Sequence, residues 1–86
     1  MNVYFTKEFT DNYKKLKDYM KERIDKAIDE IISNPECGKV LHYALKGLRS
    51  YRTGNMRIIY KIEGDNLYFI TFGHRKKIYD DLRRRK

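Results

Sequence analysis

From Lys7 to Ser33, in a chain of 86 residues, no proline or glycine interrupts the sequence, and apolar residues recur at helical spacing. Phe9, Tyr13, Leu16 and Met20 follow one another at steps of four, three and four, which is one face of a helix. Ile24, Ala27, Ile28, Ile31 and Ile32 carry a second face, set among Lys, Glu, Asp and Arg. A single helix over this segment would measure roughly 40 Å at about 1.5 Å per residue. A compact domain of this length has a radius of gyration of about 12 Å, so such a helix would overhang its own core. The pattern therefore predicts a break near Lys17–Tyr19, with Asp18 as the second N-cap and an antiparallel hairpin as the result. One long helix is the alternative. Thr6 suits the first N-cap, and Asn34-Pro35 stops the second helix.

Around this segment the periodicity is that of strands. Asn2-Val3-Tyr4-Phe5-Thr6 is rich in β-formers. Residues 36–47, between Glu36 and Gly47, read as a connecting loop. Three strand-like runs follow. Leu48 to Thr53 leads through a Gly54-Asn55 turn into Met56 to Ile62. A turn through Glu63-Gly64-Asp65-Asn66 leads into Leu67 to Phe72, the most apolar run and the one expected at the centre of the sheet. Gly73 is expected to end it, and His74 to Lys86 to form a basic tail, helical around Ile78, Tyr79 and Leu82. The expected class is α+β in one domain, residues 1–86, in the order β-αα-βββ-α: an antiparallel-rich sheet packed against a helical hairpin.

The charge is divided unevenly. Residues 1–45 hold eight basic and eight acidic side chains; residues 46–86 hold twelve and four, so the whole net charge of +8 lies in the second half. A one-sided excess predicts a positive surface that attracts a polyanion. Nucleic acid is the first candidate and an acidic protein the second. A membrane surface is the third, since the basic region lacks a strongly amphipathic helix. No apolar run is long enough to span a bilayer. The opening residues show no signal-peptide pattern, and the lone Cys37 has no partner for a disulfide. A cytoplasmic protein is expected.

Familiar catalytic constellations are missing. Two histidines and one cysteine do not build a four-ligand zinc site, and no glycine-rich phosphate loop is present. Ser33 and Ser50 are the only serines, and neither belongs to a recognisable Ser-His-Asp set. No metal or cofactor is expected. Chemistry would have to rest on arginines, lysines, tyrosines and His74. RNA cleavage suits such a set, because the 2′-OH of the RNA serves as nucleophile and guanidinium groups meet the charge growing on the phosphate. Arg57 opens an otherwise apolar strand, sharing a face with Ile59 and Lys61 by alternation; it faces either solvent or a cleft. Arg75 follows the last strand, where a rigid scaffold holds a side chain that still reaches solvent. Tyr79 lies on the tail helix, where simple packing against the sheet is the competing explanation. His74 would titrate near neutral pH, though a lone loop histidine is more often structural or idle.

Those residues sit inside a recognisable pattern. Leu45-Lys46-Gly47 followed by Arg52-Thr53-Gly54-Asn55-Met56-Arg57-Ile58-Ile59-Tyr60 resembles the L-x-G and R-x-G-x-x-R-hydrophobic-hydrophobic-Y signature of the RelE/ParE toxin superfamily. Phe72-Gly73-His74-Arg75, followed by Ile78-Tyr79, is similar to the ending of that family. The resemblance implies a RelE-like fold and the toxin of a type II toxin–antitoxin pair. It implies an endoribonuclease that cuts mRNA in the ribosomal A site, leaving a 2′,3′-cyclic phosphate. Arg57 would contact the scissile phosphate, Arg75 would stabilise the transition state, and Tyr79 would stack on or orient the cleaved nucleotide. Lys46, Arg49, Arg52, His74, Lys76 and Lys77 would bind RNA. A RelB-like antitoxin is the implied partner, with operator DNA reached only through the complex. The sequence departs from the best-known branch at Leu48 and Ser50, where that branch has lysines. At His74, where it has another, a histidine could serve as general acid or base. Met56 replaces a frequent aromatic residue. The alternatives are a ParE-like gyrase poison and a non-catalytic relative that acts with its antitoxin on DNA.

Overall fold

The segment Lys7–Ser33 folds as two helices. The structure, a computed structural model, describes residues 1–84; Arg85 and Lys86, the end of the expected basic tail, lie outside the described residues. Its main elements are β1 (Asn2–Phe5), α1 (Lys7–Lys14), α2 (Asp18–Ser33), β2 (Lys39–Val40), β3 (Arg49–Thr53), β4 (Met56–Glu63), β5 (Asn66–His74) and α3 (Ile78–Arg84). Thr6 caps α1 as expected, its hydroxyl accepting the Phe9 amide at 3.1 Å. At the break, the amides of Lys15 and Leu16 turn back to the carbonyls of Asn12 and Tyr13 and close α1. Lys17 is left extended, and it, not Asp18, is the N-cap of α2. Asp18 instead occupies the first turn, where a carboxylate meets the positive end of the helix dipole.

The sheet is mixed, in the order β1-β5-β4-β3-β2, with β1 parallel to β5 and the other neighbours antiparallel. β4, not the more apolar β5, is therefore the middle strand. Tight turns at Gly54 and Gly64, both in the left-handed region, fold it between β3 and β5. β5 is nevertheless paired on both sides, which explains its apolar run. It also continues past Gly73 to His74, which pairs with Met56, and the missing Cβ at Gly73 leaves room for Ile78, whose Cδ1 would lie 3.1 Å from one. The expected loop at 36–47 contains β2 and two 3₁₀ turns, Pro35–Cys37 and Tyr43–Leu45. A two-residue strand held by register with Arg49 and Ser50 leaves no periodicity to read.

The two faces of the sheet serve two cores. On one side α1 and α2 pack Phe9, Ile24, Ala27 and Ile31 against Ile58, Tyr60, Leu67, Phe69 and Phe72. On the other, Ile59 meets Leu41, Leu45, Ile78 and Leu82. The β4–β5 register skips Ile70, and this bulge puts Phe69 and Phe72 on the same side. Thr6 fixes the bulge from outside, donating its hydroxyl to the Ile70 carbonyl at 2.5 Å.

Tyr60 joins the first core to the loop behind α2. Its ring is buried, while its hydroxyl accepts the Gly38 amide at 2.8 Å and donates to the Pro35 carbonyl at 2.7 Å. Gly38 has to be glycine here, since an added Cβ would stand 2.8 and 2.9 Å from carbons of the ring. Arg49, on the same face, donates one nitrogen to the carbonyls of Glu36 and Gly38, each at 3.1 Å. Burial pushes the Tyr60 phenol up from 10.0 to about 12. Between those two values the folded chain binds a proton that the unfolded chain has released, so stability falls as pH rises through that window. The loss attributable to Tyr60 should reach roughly 2 to 3 kcal/mol. Urea unfolding followed from pH 9 to 12, in the native sequence and in Tyr60→Phe, checks this: the difference between the two slopes isolates Tyr60 from the other tyrosines.

Candidate nucleic-acid interface

β4 sends Arg57 and Ile59 to the face opposite α1 and α2, as alternation predicts. α3 and the Tyr43–Leu45 turn cover Ile59, but Arg57 sits beyond their edge and is half-buried. Its guanidinium donates to the Ser50 hydroxyl at 3.1 Å. Tyr79, brought over by α3, donates to the same oxygen at 3.0 Å, and the Arg57 guanidinium carbon lies 5.9 Å from its ring centroid. Tyr79 therefore does more than pack: it forms one polar cluster with Arg57 and Ser50. The cluster holds a fixed cation beside an aromatic ring at the surface, which is what a phosphate with an attached base requires.

Other basic residues gather at the same end of the sheet. Arg52 lies opposite Arg57 in the β3–β4 register, exposed, its Nε donating to the Gly54 carbonyl at 3.1 Å. Gly73 is the register partner of Arg57 on β5, and Arg75 stands two positions further on. Its backbone amide is pinned to the Asn55 carbonyl at 3.0 Å, while the residue stays exposed. His74, Lys76 and Lys77 are exposed beside it. His74 Nδ1 accepts the Lys76 amide at 3.2 Å, so the neutral imidazole carries its proton on Nε2. Lys46 follows the Tyr43–Leu45 turn and is exposed. Arg49 stands apart, on the reverse face, engaged with the loop carbonyls described above.

Ser50 is the member that sequence reasoning passed over. It entered only as a serine without a triad, or as a position lacking a lysine. In the fold it is 2% exposed and receives the side chains of both Arg57 and Tyr79. The available signal was alternation: Ser50 and Arg52 share a face of β3, and Arg52 faces Arg57 across the hairpin. Among the described residues, no group of three or more His, Cys, Asp or Glu side chains converges as metal ligands do.

A basic α+β domain with an arginine–tyrosine cluster at one sheet end is a domain suited to a polyanion. Residues 3–79 match the family described as the ParE toxin of the type II toxin–antitoxin system parDE. Toxin RelE3 of Methanocaldococcus jannaschii is 33% identical over 85 residues, covering 93% of this chain and 97% of that protein. The RelBE2 toxin–antitoxin complex of Mycobacterium tuberculosis contains a chain that superposes with a TM-score of 0.74 at 26% identity, over 86% of this chain and 90% of that one. The RelB–RelE complex of Methanococcus jannaschii gives a TM-score of 0.67 at 26% identity, over 92% and 98%. The chain belongs to the RelE/ParE superfamily of toxins from type II toxin–antitoxin systems.

Removing the shared acceptor should loosen both donors. Ser50→Ala is expected to lower stability by about 1 kcal/mol. Tyr79→Phe in the Ser50→Ala background should add almost nothing, because the two act through one bond. Chemical denaturation of the two single variants and the double variant measures the coupling, and additive losses would show that the hydroxyls are independent.

Proposed function

We propose that this toxin is a ribosome-dependent endoribonuclease that cuts mRNA in the A site, with Arg57, Arg75 and Tyr79 as its catalytic residues. The observation that carries the reading is the Arg57–Ser50–Tyr79 cluster, set at the sheet end where Arg52, His74, Arg75, Lys76 and Lys77 also lie. In the reaction the 2′-oxygen attacks the adjacent phosphorus and the bond from phosphorus to the 5′-oxygen breaks. One proton leaves the 2′-oxygen and one arrives at the 5′-oxygen, giving a 2′,3′-cyclic phosphate and a 5′-hydroxyl. Arg57 holds the scissile phosphate, and Arg75 meets the charge that grows on its oxygens. Tyr79 stacks on or orients the cleaved nucleotide. His74, where the best-known branch of the family has a lysine, acts as general acid or base, since arginine stays protonated. Lys46, Arg52, Lys76 and Lys77 add a salt-sensitive attraction to RNA phosphates. The proposed chemistry uses the RNA's own 2′-OH as nucleophile and calls for no metal.

A RelB-like antitoxin is the proposed partner. The solved relatives include RelB–RelE complexes, and an acidic chain would match the charge of residues 46–86. Operator DNA would be met through that complex. Among the described residues no helix is long and apolar enough to cross a membrane, and the proposed site of action is the cytoplasm. The match to a family named for ParE favours a second reading, a gyrase poison, which would not require Tyr79 and Arg75 as a set.

Incubation with programmed ribosomes, with mRNA ends mapped by primer extension beside a gyrase supercoiling assay, separates the two. Cuts that require ribosomes, and that fall by roughly 100-fold in Arg57→Ala or Arg75→Ala, are the expected result. Inhibited supercoiling with intact mRNA would replace this reading with the second.

A further inference from the structure

Tyr43 is in the wrong place for a residue that serves only the fold. It opens the Tyr43–Leu45 turn at φ 59° and is the one non-glycine residue at positive φ among the described residues. A side chain with a Cβ is strained in that region, and glycine or asparagine is the usual occupant. The ring recovers nothing by burial, because Tyr43 is 96% exposed. A bulky aromatic residue thus stands free in water on a strained backbone, a combination that clusters at ligand clamps.

Its surroundings indicate a ligand. A cleft of about 250 Å³ joins Tyr43 to Tyr79, with Leu41 and Leu45 in its lining and Lys39, His42 and Arg83 among its polar residues. A larger opening that shares His42 and Tyr43 with it extends to Lys46. Among the described residues neither lining contains a carboxylate. Of its cations only Arg83 has an acidic neighbour, Asp80 at 3.6 Å. An apolar floor, two tyrosines and a basic rim in which Arg83 alone is paired are the components of a site for single-stranded RNA: the rings stack on bases and the cations hold phosphates.

We propose that Tyr43 is the stacking residue of a second nucleotide subsite, adjoining the one at Tyr79, with Lys39, His42 and Lys46 on its phosphate. The subsite takes the nucleotide next to the cleaved one, and it rests on the ribonuclease reading given above. The strain at Tyr43 is then explained by ligand recognition, since the left-handed backbone is what turns the ring out of the fold.

The consequence is an unusual pair of opposite effects. Tyr43→Gly relieves the backbone strain and removes the ring, so it should raise the melting temperature while weakening RNA binding by roughly 10-fold. Tyr43→Phe keeps ring and strain, and both quantities should stay near those of the native protein. Affinity is read by fluorescence anisotropy with a short labelled single-stranded RNA whose 2′-hydroxyls are replaced by hydrogen, and KM by cleavage on programmed ribosomes. Unchanged affinity and KM in Tyr43→Gly, with the native protein still cutting mRNA, overturns the subsite and leaves the proposed function standing. A native protein that neither binds nor cuts RNA overturns both. A melting temperature that falls together with affinity would make Tyr43 structural. A loss of antitoxin binding without loss of RNA binding would assign the cleft to the protein partner.

Discussion

The burial of β4 on both faces is the constraint on which the rest of this molecule depends. Ile58 and Tyr60 point into the helical layer, Ile59 into the small core under α3. A domain of this size buries only about 60–65% of its unfolded surface, so neither core is thick. One strand has to organise both. Once its central residues are fixed, Arg57, near the start of the strand, lies beside the Tyr79 ring and not within the core. It emerges at the rim of the second core, where Ser50 receives it. The site lies at the edge of a core, and its rigidity is borrowed from that core.

The small scale of that second core shapes the site in another way. α3 reaches the sheet through Ile78 and Leu82, and through one hydrogen bond from Tyr79 to Ser50. Helices this short are not stable alone, so the sheet must supply the order of α3. Tyr79 is therefore held by a light attachment, while Arg57 is held by a strand paired on both sides. The two halves of the cluster differ in stiffness by construction.

Much of this was legible in the sequence. Helical spacing located α1 and α2, and the argument from length called for a junction near Lys17–Tyr19, two residues beyond the link at 15–17. Alternation put Arg57 on the face of Ile59, and glycine turns marked both hairpins. What escaped was non-local. β2 exists only because Lys39 and Val40 meet Arg49 and Ser50. The rank of β5 was misjudged because apolarity reports burial on both faces, and β5 shares that with the strand in the middle. Ser50 carried no signal as a single residue, since its role is created by two partners arriving from β4 and α3. The left-handed backbone at Tyr43 was hidden for the opposite reason, because tyrosine is not a residue from which positive φ is expected.

The parallel pairing of β1 with β5 has a consequence for how this chain is made. Asn2 lies beside Asn66 and Phe5 beside Phe69, so the first strand synthesised waits for the last. Contacts so distant in sequence close late, after the loop entropy between them has been overcome. Until β5 leaves the ribosome, β1 has no neighbour, the bulge that Thr6 fixes does not exist, and neither core can close. The Arg57–Ser50–Tyr79 cluster is therefore assembled only once β5 and α3 have joined the sheet.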